Sequence, residues 1–273
     1  GSIVRVHRGL YAGKEYWDRL DPHERLRHIL RSLSQWHERW AFCGASAAVM
    51  HGLDCSYRQL HPIHVAVGRN SRPRNQRYVR FHVLAVDGAR VTSILRTLVD
   101  CAAMMPRRYA MAPIDSALRQ GKTTVEQMLE YVDAIPMLRD RERIRAVLAQ
   151  GDGRVENGGE SECRAVLDEL GFPVHRVQVE FPCLSHPGRV HRVDFLWERD
   201  DGTLIAGEFD GVQKYVDPLM TAGRTIRQVV DDERDRQQCL SRRGVDMVRM
   251  FYRDLDNAQV LAYRLEQARV PRR

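Results

Sequence analysis

The sequence predicts an α+β protein in two parts: a mixed α/β N-terminal domain over residues 1–155 and an α-β-β-β-α-β domain over residues 156–273. Three observations carry that reading. In the first half, stretches of helical periodicity are interleaved with short β-branched runs. In the second half "VHRVQVEF", "RVHRVDFLW" and "TLIAGEF" follow one another as three strands with no helix between them. Between the halves, "GDGRVENGG" has four glycines and one core candidate, Val155, and reads as a linker.

Each element has a local reason. "IVRVHRGLY" alternates like a short strand pair around a Gly turn. In "LDPHERLRHILRSLSQWHERW", Asp21 can cap a helix, Pro22 suits its first position and Glu24 completes a capping box. Leu26, Ile29, Leu30, Leu33 and Trp36 then form one apolar stripe, expected to be core. "GASAAVMHGL" is a small-residue helix ended by Gly52, and "PIHVAV" and "YVRFHVLAV" are strands. "VTSILRTLVDCAAMM" is a helix with Thr92 or Ser93 at its cap, and "PIDSALRQG" is another, closed by Gly121. "TTVEQMLEYV" offers Thr123 and Glu126 as a capping box. "RDRERIRAVLAQ" is a charged helix whose arginines are expected on an ion-paired solvent face.

In the second half "ESECRAVLDELG" is an amphipathic helix stopped by Gly171, and "ERDDG" turns the last two of the three strands into a hairpin. A polar helix follows from about Ala222 to Arg243, then the strand "DMVRMF" and the closing helix "DLDNAQVLAYRLEQAR".

Composition narrows the function classes. Lys and Arg outnumber Asp and Glu by 43 to 36, a net charge of +7, and the excess is mostly arginine. That balance suits a polyanionic partner, DNA first among them, or serves only to keep the surface soluble. No run approaches a membrane span and no signal peptide is evident, so a cytoplasmic protein is expected. The six cysteines are scattered, with no C-x-x-C pair and no zinc-like clustering, and are expected as reduced thiols. His61 and His64 in "HPIH" read as surface histidines rather than a metal pair. The oligomeric state is left open.

The chemistry is concentrated in "VDFLWERDDGTLIAGEFDGVQKY". Strict alternation puts Val190, Arg192, Asp194 and Leu196 on one face of a strand, and Ala206, Glu208 and Asp210 on one face of the next. A hairpin can then bring Asp194 and Glu208 side by side. Two ionised carboxylates so close repel, and one is driven toward protonation unless a cation joins them. Mg²⁺ or Mn²⁺ held by Asp194 and Glu208 would remove the repulsion, acidify a bound water and polarise a phosphoryl oxygen. Lys214 would add positive charge near that water or the scissile phosphate.

This pattern resembles the PD-(D/E)XK nuclease superfamily, and within it the branch akin to very-short-patch repair endonucleases. The shared features are the element order, Val193-Asp194 at the first motif, Glu208 at the second, and "EFDGVQK" where that branch carries E-x-D-G and then Q-H. "DDERDRQQCLSRRGVDMVRMFYRDL" resembles the downstream helix, Gly turn and strand. The resemblance covers roughly residues 156–273. It implies metal-dependent phosphodiester hydrolysis, with Glu160 as the helix acid and Glu162 as the fallback. Lys214, helped by Gln213 or Asp210, would position water or steady the phosphate. The departure is Asp210, which stands where the superfamily has lysine. The alternative is a nuclease fold retained for binding alone.

The first half resembles the AbiEi-type antitoxins of type IV toxin–antitoxin systems, through "RVHRGLY", "GASAAVMHGL", "HVAV", "RVTSILRTLVDCA" and "IDSALRQG". In that family "RGxY" closes the wing of a winged helix-turn-helix, with a recognition helix ahead of it. The resemblance implies DNA and a toxin protein as partners. The four arginines of "GRNSRPRNQR" can grip phosphates or form a solvated loop. The readings that compete are thus a metal-dependent endonuclease, a non-enzymatic DNA-binding regulator or antitoxin, and a protein-interaction scaffold.

Overall fold

The computed structural model describes residues 1–67, 79–83, 91–184, 186–210 and 226–273. The chain is a mixed α and β protein in two compact units, Gly1–Gly153 and Arg154–Arg273. The loop "GRNSRPRNQR", Gln213 and Lys214 lie outside the described residues.

The first unit opens with the hairpin β1 (Ile3–His7) and β2 (Leu10–Gly13), turned at Gly9 with φ +77°. Two helices follow, α1 (Lys14–Arg19) and α2 (Pro22–Trp36). Asp21 caps α2 by accepting from the Glu24 N–H at 2.8 Å, and Glu24 accepts from the Asp21 N–H at 2.9 Å. Leu26, Ile29, Leu30 and Leu33 are buried as their spacing requires. Trp36, expected in the same stripe, is 54% exposed at the helix end, and its indole lies beside Gly9.

A three-stranded sheet has the order β3 (Ala41–Phe42), β4 (Ile63–Val67), β5 (Val79–Val83), antiparallel and then parallel. The small residues of α3 (Gly44–Met50) are almost all buried, which lets this helix sit deep in the core. Against it packs α4 (Ile94–Met104), and on α4 in turn pack α5 (Arg107–Arg119), α6 (Val125–Ala134) and α7 (Arg141–Leu148).

Ser93, rather than Thr92, caps α4 through the Arg96 N–H. Pro113 does not begin α5 but lies inside it. An interior proline costs about 3 kcal/mol; here burial of Ala110, Met111, Ile114 and Ala117 on the same helix offsets it. The capping box of α6 uses Thr124 and Gln127, one residue beyond the expected Thr123 and Glu126, because Thr123 is itself buried.

The arginines of α7 do more than face solvent. Arg141 donates to the carbonyls of Val132, Asp133 and Ile135, and Arg143 to those of Ala102 and Ala103. They satisfy the terminal carbonyls of α6 and α4, which no helix can satisfy alone.

The second unit runs α8 (Gly158–Glu169), β6 (Arg176–Pro182), β7 (Val190–Glu198), β8 (Leu204–Asp210), α9 (Ile226–Arg242), β9 (Val245–Phe251), α10 (Tyr252–Leu255) and α11 (Ala258–Gln267). The sheet order is β6-β7-β8-β9, antiparallel until the parallel β8–β9 pair, which α9 connects. On one face Phe195, Trp197, Ile205 and Phe209 pack with Cys163, Val166 and Leu167 of α8 and Leu261 and Leu265 of α11. On the other, Val193, Leu196, Ala206 and Val245 pack with Leu240 of α9. Val155, read as the linker's one core residue, is fully buried in the first of these cores.

Candidate functional site

Glu160 is placed by the start of α8. Asn157 caps that helix: its Oδ1 accepts from the Gly159 and Glu160 N–H groups at 2.9 and 3.1 Å, and its amide donates to Glu160 Oε1 at 2.5 Å. Glu160 Oε2 accepts from the Glu156 N–H at 3.0 Å and from Gln178 Nε2 at 2.8 Å. Gly159 is required by proximity: a Cβ there would come 2.9 Å from Phe209 Cε1 and 2.3 Å from the Tyr252 hydroxyl. Its absence lets the head of α8 lie against the end of β8. Glu162 is also buried, but the contacts with Gln178 and the field of Asp194 fall on Glu160.

Asp194 sits where the sheet changes face. Val177 and Phe195 belong to the α8 side of the sheet, whereas Val179 and Val193, two residues along each strand, belong to the α9 side. Strict alternation would keep each pair on one face. The break falls at Gln178, whose φ is +52°, and at Asp194, its neighbour across the strands. The alternation read from the sequence is therefore corrected: Val193 and Leu196, three residues apart, share a face. At the break Asp194 Oδ2 accepts from the Phe209 N–H at 2.8 Å, bridging β7 to β8.

Glu208 follows Gly207, which is registered with Phe195, so Glu208 and Asp194 occupy the next step along that pair of strands. Arg236 of α9 forms an ion pair with Glu208 and also donates to the Arg192 carbonyl. Asp210, two residues on at the end of β8, has Arg249 Nη1 at 3.9 Å.

The electrostatics centre on Asp194, whose charge acts on Glu160 and on Glu208. Burial, and then the charge of Asp194, push Glu160 up to about 7. Burial pushes Glu208 up to about 7 as well; Arg236 opposes that and Asp194 adds to it. Asp194 thus acts on a carboxyl from α8 and on one from β8, but among the described residues the three do not form a group whose oxygens all lie within 4.8 Å of one another. Asp194 and Glu208, at the same step of adjacent strands, are the hard oxygen donors that could hold a divalent cation if Arg236 gave up its place beside Glu208. The sequence reading missed Asn157, Gln178 and Arg236. An Asn-Gly-Gly-Glu helix start was a visible signal for the first. Nothing local marked the other two, which act across the fold.

The cysteines need a second correction. All six are thiols without disulfides. Far from being scattered in space, Cys183, His191 and Cys239 each place a ligand atom within 4.8 Å of the others. Cys43, Cys55, Cys101 and Cys163 are buried, and burial raises their thiols, Cys55 to about 12, so they are poor nucleophiles.

Comparison with known proteins bears on the first unit most directly. Residues 40–150 match the family model of the AbiEi antitoxin C-terminal domain. The AbiEi match spans β3 to α7. Two curated relatives are the uncharacterized proteins Rv2248 of Mycobacterium tuberculosis (strain ATCC 25618 / H37Rv) and MT2308 of Mycobacterium tuberculosis (strain CDC 1551 / Oshkosh). Each is 28% identical over 252 residues, covering 85% of this chain and 87% of the relative, so the likeness continues past the AbiEi segment into the second unit. No solved structure matches. Among the described residues no helix is long and apolar enough to cross a membrane.

Proposed function

We propose that this protein is a DNA-binding regulator of the toxin–antitoxin kind, with a toxin protein as its second partner and a nuclease-like second unit used for binding. The AbiEi match over residues 40–150 carries this reading. The net charge of +7 supports a polyanionic partner. The ion pair of Arg236 with Glu208 agrees with it, because a guanidinium already balances the charge a metal would balance.

A second reading is Mg²⁺- or Mn²⁺-dependent phosphodiester hydrolysis, and the placement of Asp194 and Glu208 at the same step of adjacent strands favours it. When bound, the ion would supply Lewis acidity and an acidified water. Asp194 and Glu208 would hold it, and Gln178 would orient Glu160.

Duplex binding, followed by fluorescence anisotropy across a salt series, is expected to weaken as salt rises, because each neutralised phosphate releases counterions. Cleavage of plasmid and single strands is followed in parallel with Mg²⁺, Mn²⁺ or EDTA. Binding without metal-dependent cleavage supports the regulator. Cleavage abolished by EDTA replaces it with the nuclease, and salt-insensitive binding, or none, removes both. Arg236→Ala should separate the readings further. With the guanidinium gone, Mn²⁺ affinity measured by calorimetry is expected to rise about tenfold, the equivalent of ~1.4 kcal/mol. Unchanged affinity would mean that Arg236 does not compete for a metal position.

A further inference from the structure

We propose that Cys183, His191 and Cys239 form a zinc site, with His186 as the fourth ligand, which ties α9 to the β6–β7 hairpin. Four observations place it. Cys183 Sγ and Cys239 Sγ are 3.8 Å apart. Two thiolates bound to a tetrahedral zinc at about 2.3 Å each lie about 3.8 Å from one another, whereas a disulfide needs about 2.05 Å. His191 is only 4% exposed, and its Nε2 is buried with no hydrogen-bond partner among the described residues, a costly state that an ion resolves. His186 Nδ1 is 3.8 Å from Cys183 Sγ but stands outside the group of ligand atoms within 4.8 Å of one another, so a turn of its exposed side chain is needed to complete the set. The Leu184 N–H donates to Cys239 Sγ at 3.1 Å, the kind of outer contact that orients a thiolate ligand.

The fold explains how ligands so far apart in sequence meet. Cys183 directly follows β6, and its N–H donates to the Arg189 carbonyl across the hairpin turn. His191 is registered with Phe181, two residues before Cys183, so His191 and Cys183 lie on the same side of the hairpin. Cys239 comes from α9, one turn after Asp235, which lines the same cavity of about 60 Å³. Arg189 and Arg242 line it too. Two thiolates and two neutral imidazoles balance a Zn²⁺ charge. Such a set closes the coordination sphere, which makes the site structural rather than catalytic. The tie also fixes α9, the helix from which Arg236 reaches Glu208.

The test uses the full chain. After incubation with zinc and gel filtration, one zinc per chain is expected by elemental analysis. Cobalt(II) should give the visible absorption of a tetrahedral thiolate centre. Cys183→Ser should remove that absorption. His186→Asn, on an exposed turn where no core is disturbed, should lower zinc affinity on the order of tenfold or more. A wild-type chain that retains no zinc and shows no cobalt–thiolate absorption overturns the site. So does a Cys183–Cys239 disulfide in the purified chain, or His186→Asn with unchanged affinity.

Discussion

Gly207→Ala is expected to destabilise the second unit by about 3 kcal/mol, the upper range for overpacking a filled core. Gly207 lies between Ala206 and Glu208 in the middle of β8. A Cβ there would sit 2.7 Å from Trp197 Cζ3, 2.9 Å from Trp197 Cη2 and 3.1 Å from Met250 Cε. Trp197 and Met250 are fully buried, so neither can swing aside into solvent. Glycine is present because the indole occupies the space a methyl would need. Urea unfolding followed by circular dichroism measures the loss. The double change Gly207→Ala with Trp197→Phe should cost less than the sum of the single changes by about 1 kcal/mol or more, since the smaller ring vacates the contested volume. Additive costs would show that the strain lies elsewhere. The effect also reaches the candidate site, because a displaced β8 carries Glu208 with it.

Asp194→Asn should change how stability depends on pH. Glu160 and Glu208 both stand at about 7, above their ordinary 4.5, and Asp194 contributes to both shifts. Between about 4.5 and 7 the folded chain therefore holds more protons than the unfolded chain, and stability falls as pH rises through that window. A full shift of this size corresponds to roughly 3 kcal/mol for one carboxyl. The amide keeps the acceptor for the Phe209 N–H and removes the negative charge. The variant is expected to show a shallower decline and to be more stable than wild type at pH 8, by about 1–2 kcal/mol. Chemical unfolding at pH 5 and pH 8 provides the comparison. Parallel pH profiles for variant and wild type would mean that the three carboxyls are not coupled through Asp194.

Much of the architecture was legible because it is written in local chemistry. The capping box at Asp21 and Glu24, the glycine turns and the run of three strands depend on neighbours in sequence. The failures have equally local causes. Pro113 looked like a helix start because its own preference is for the first turn, and burial of its neighbours overrode that preference. Asp194 and Glu208 were legible as acids in apolar strands, and both are in β7 and β8. Their surroundings were not. Arg236 lies 28 residues beyond Glu208, and Cys239 lies 56 beyond Cys183; nothing in sequence separation brings either pair together. The left-handed backbone of Gln178 is also silent, because glutamine carries no signal for positive φ. Strict alternation therefore misassigned the face of Val193 and with it the setting of Asp194.

The face change at Gln178 and Asp194 has a consequence for which sequence lengths the fold can accept over evolution. From Gln178 to Cys183, and from His191 to Asp194, each residue has a fixed side of the sheet, set at one end by Asp194 and at the other by the thiol and imidazole group. A one-residue insertion or deletion in either span would turn Cys183 or His191 to the opposite side of the hairpin. The turn between Leu184 and Arg189 lies outside both spans and can vary in length at the cost of loop entropy alone. Relatives should therefore tolerate gaps at the hairpin tip and resist them along its arms, so that a strand pair at the edge of the sheet acts as a ruler between two sites.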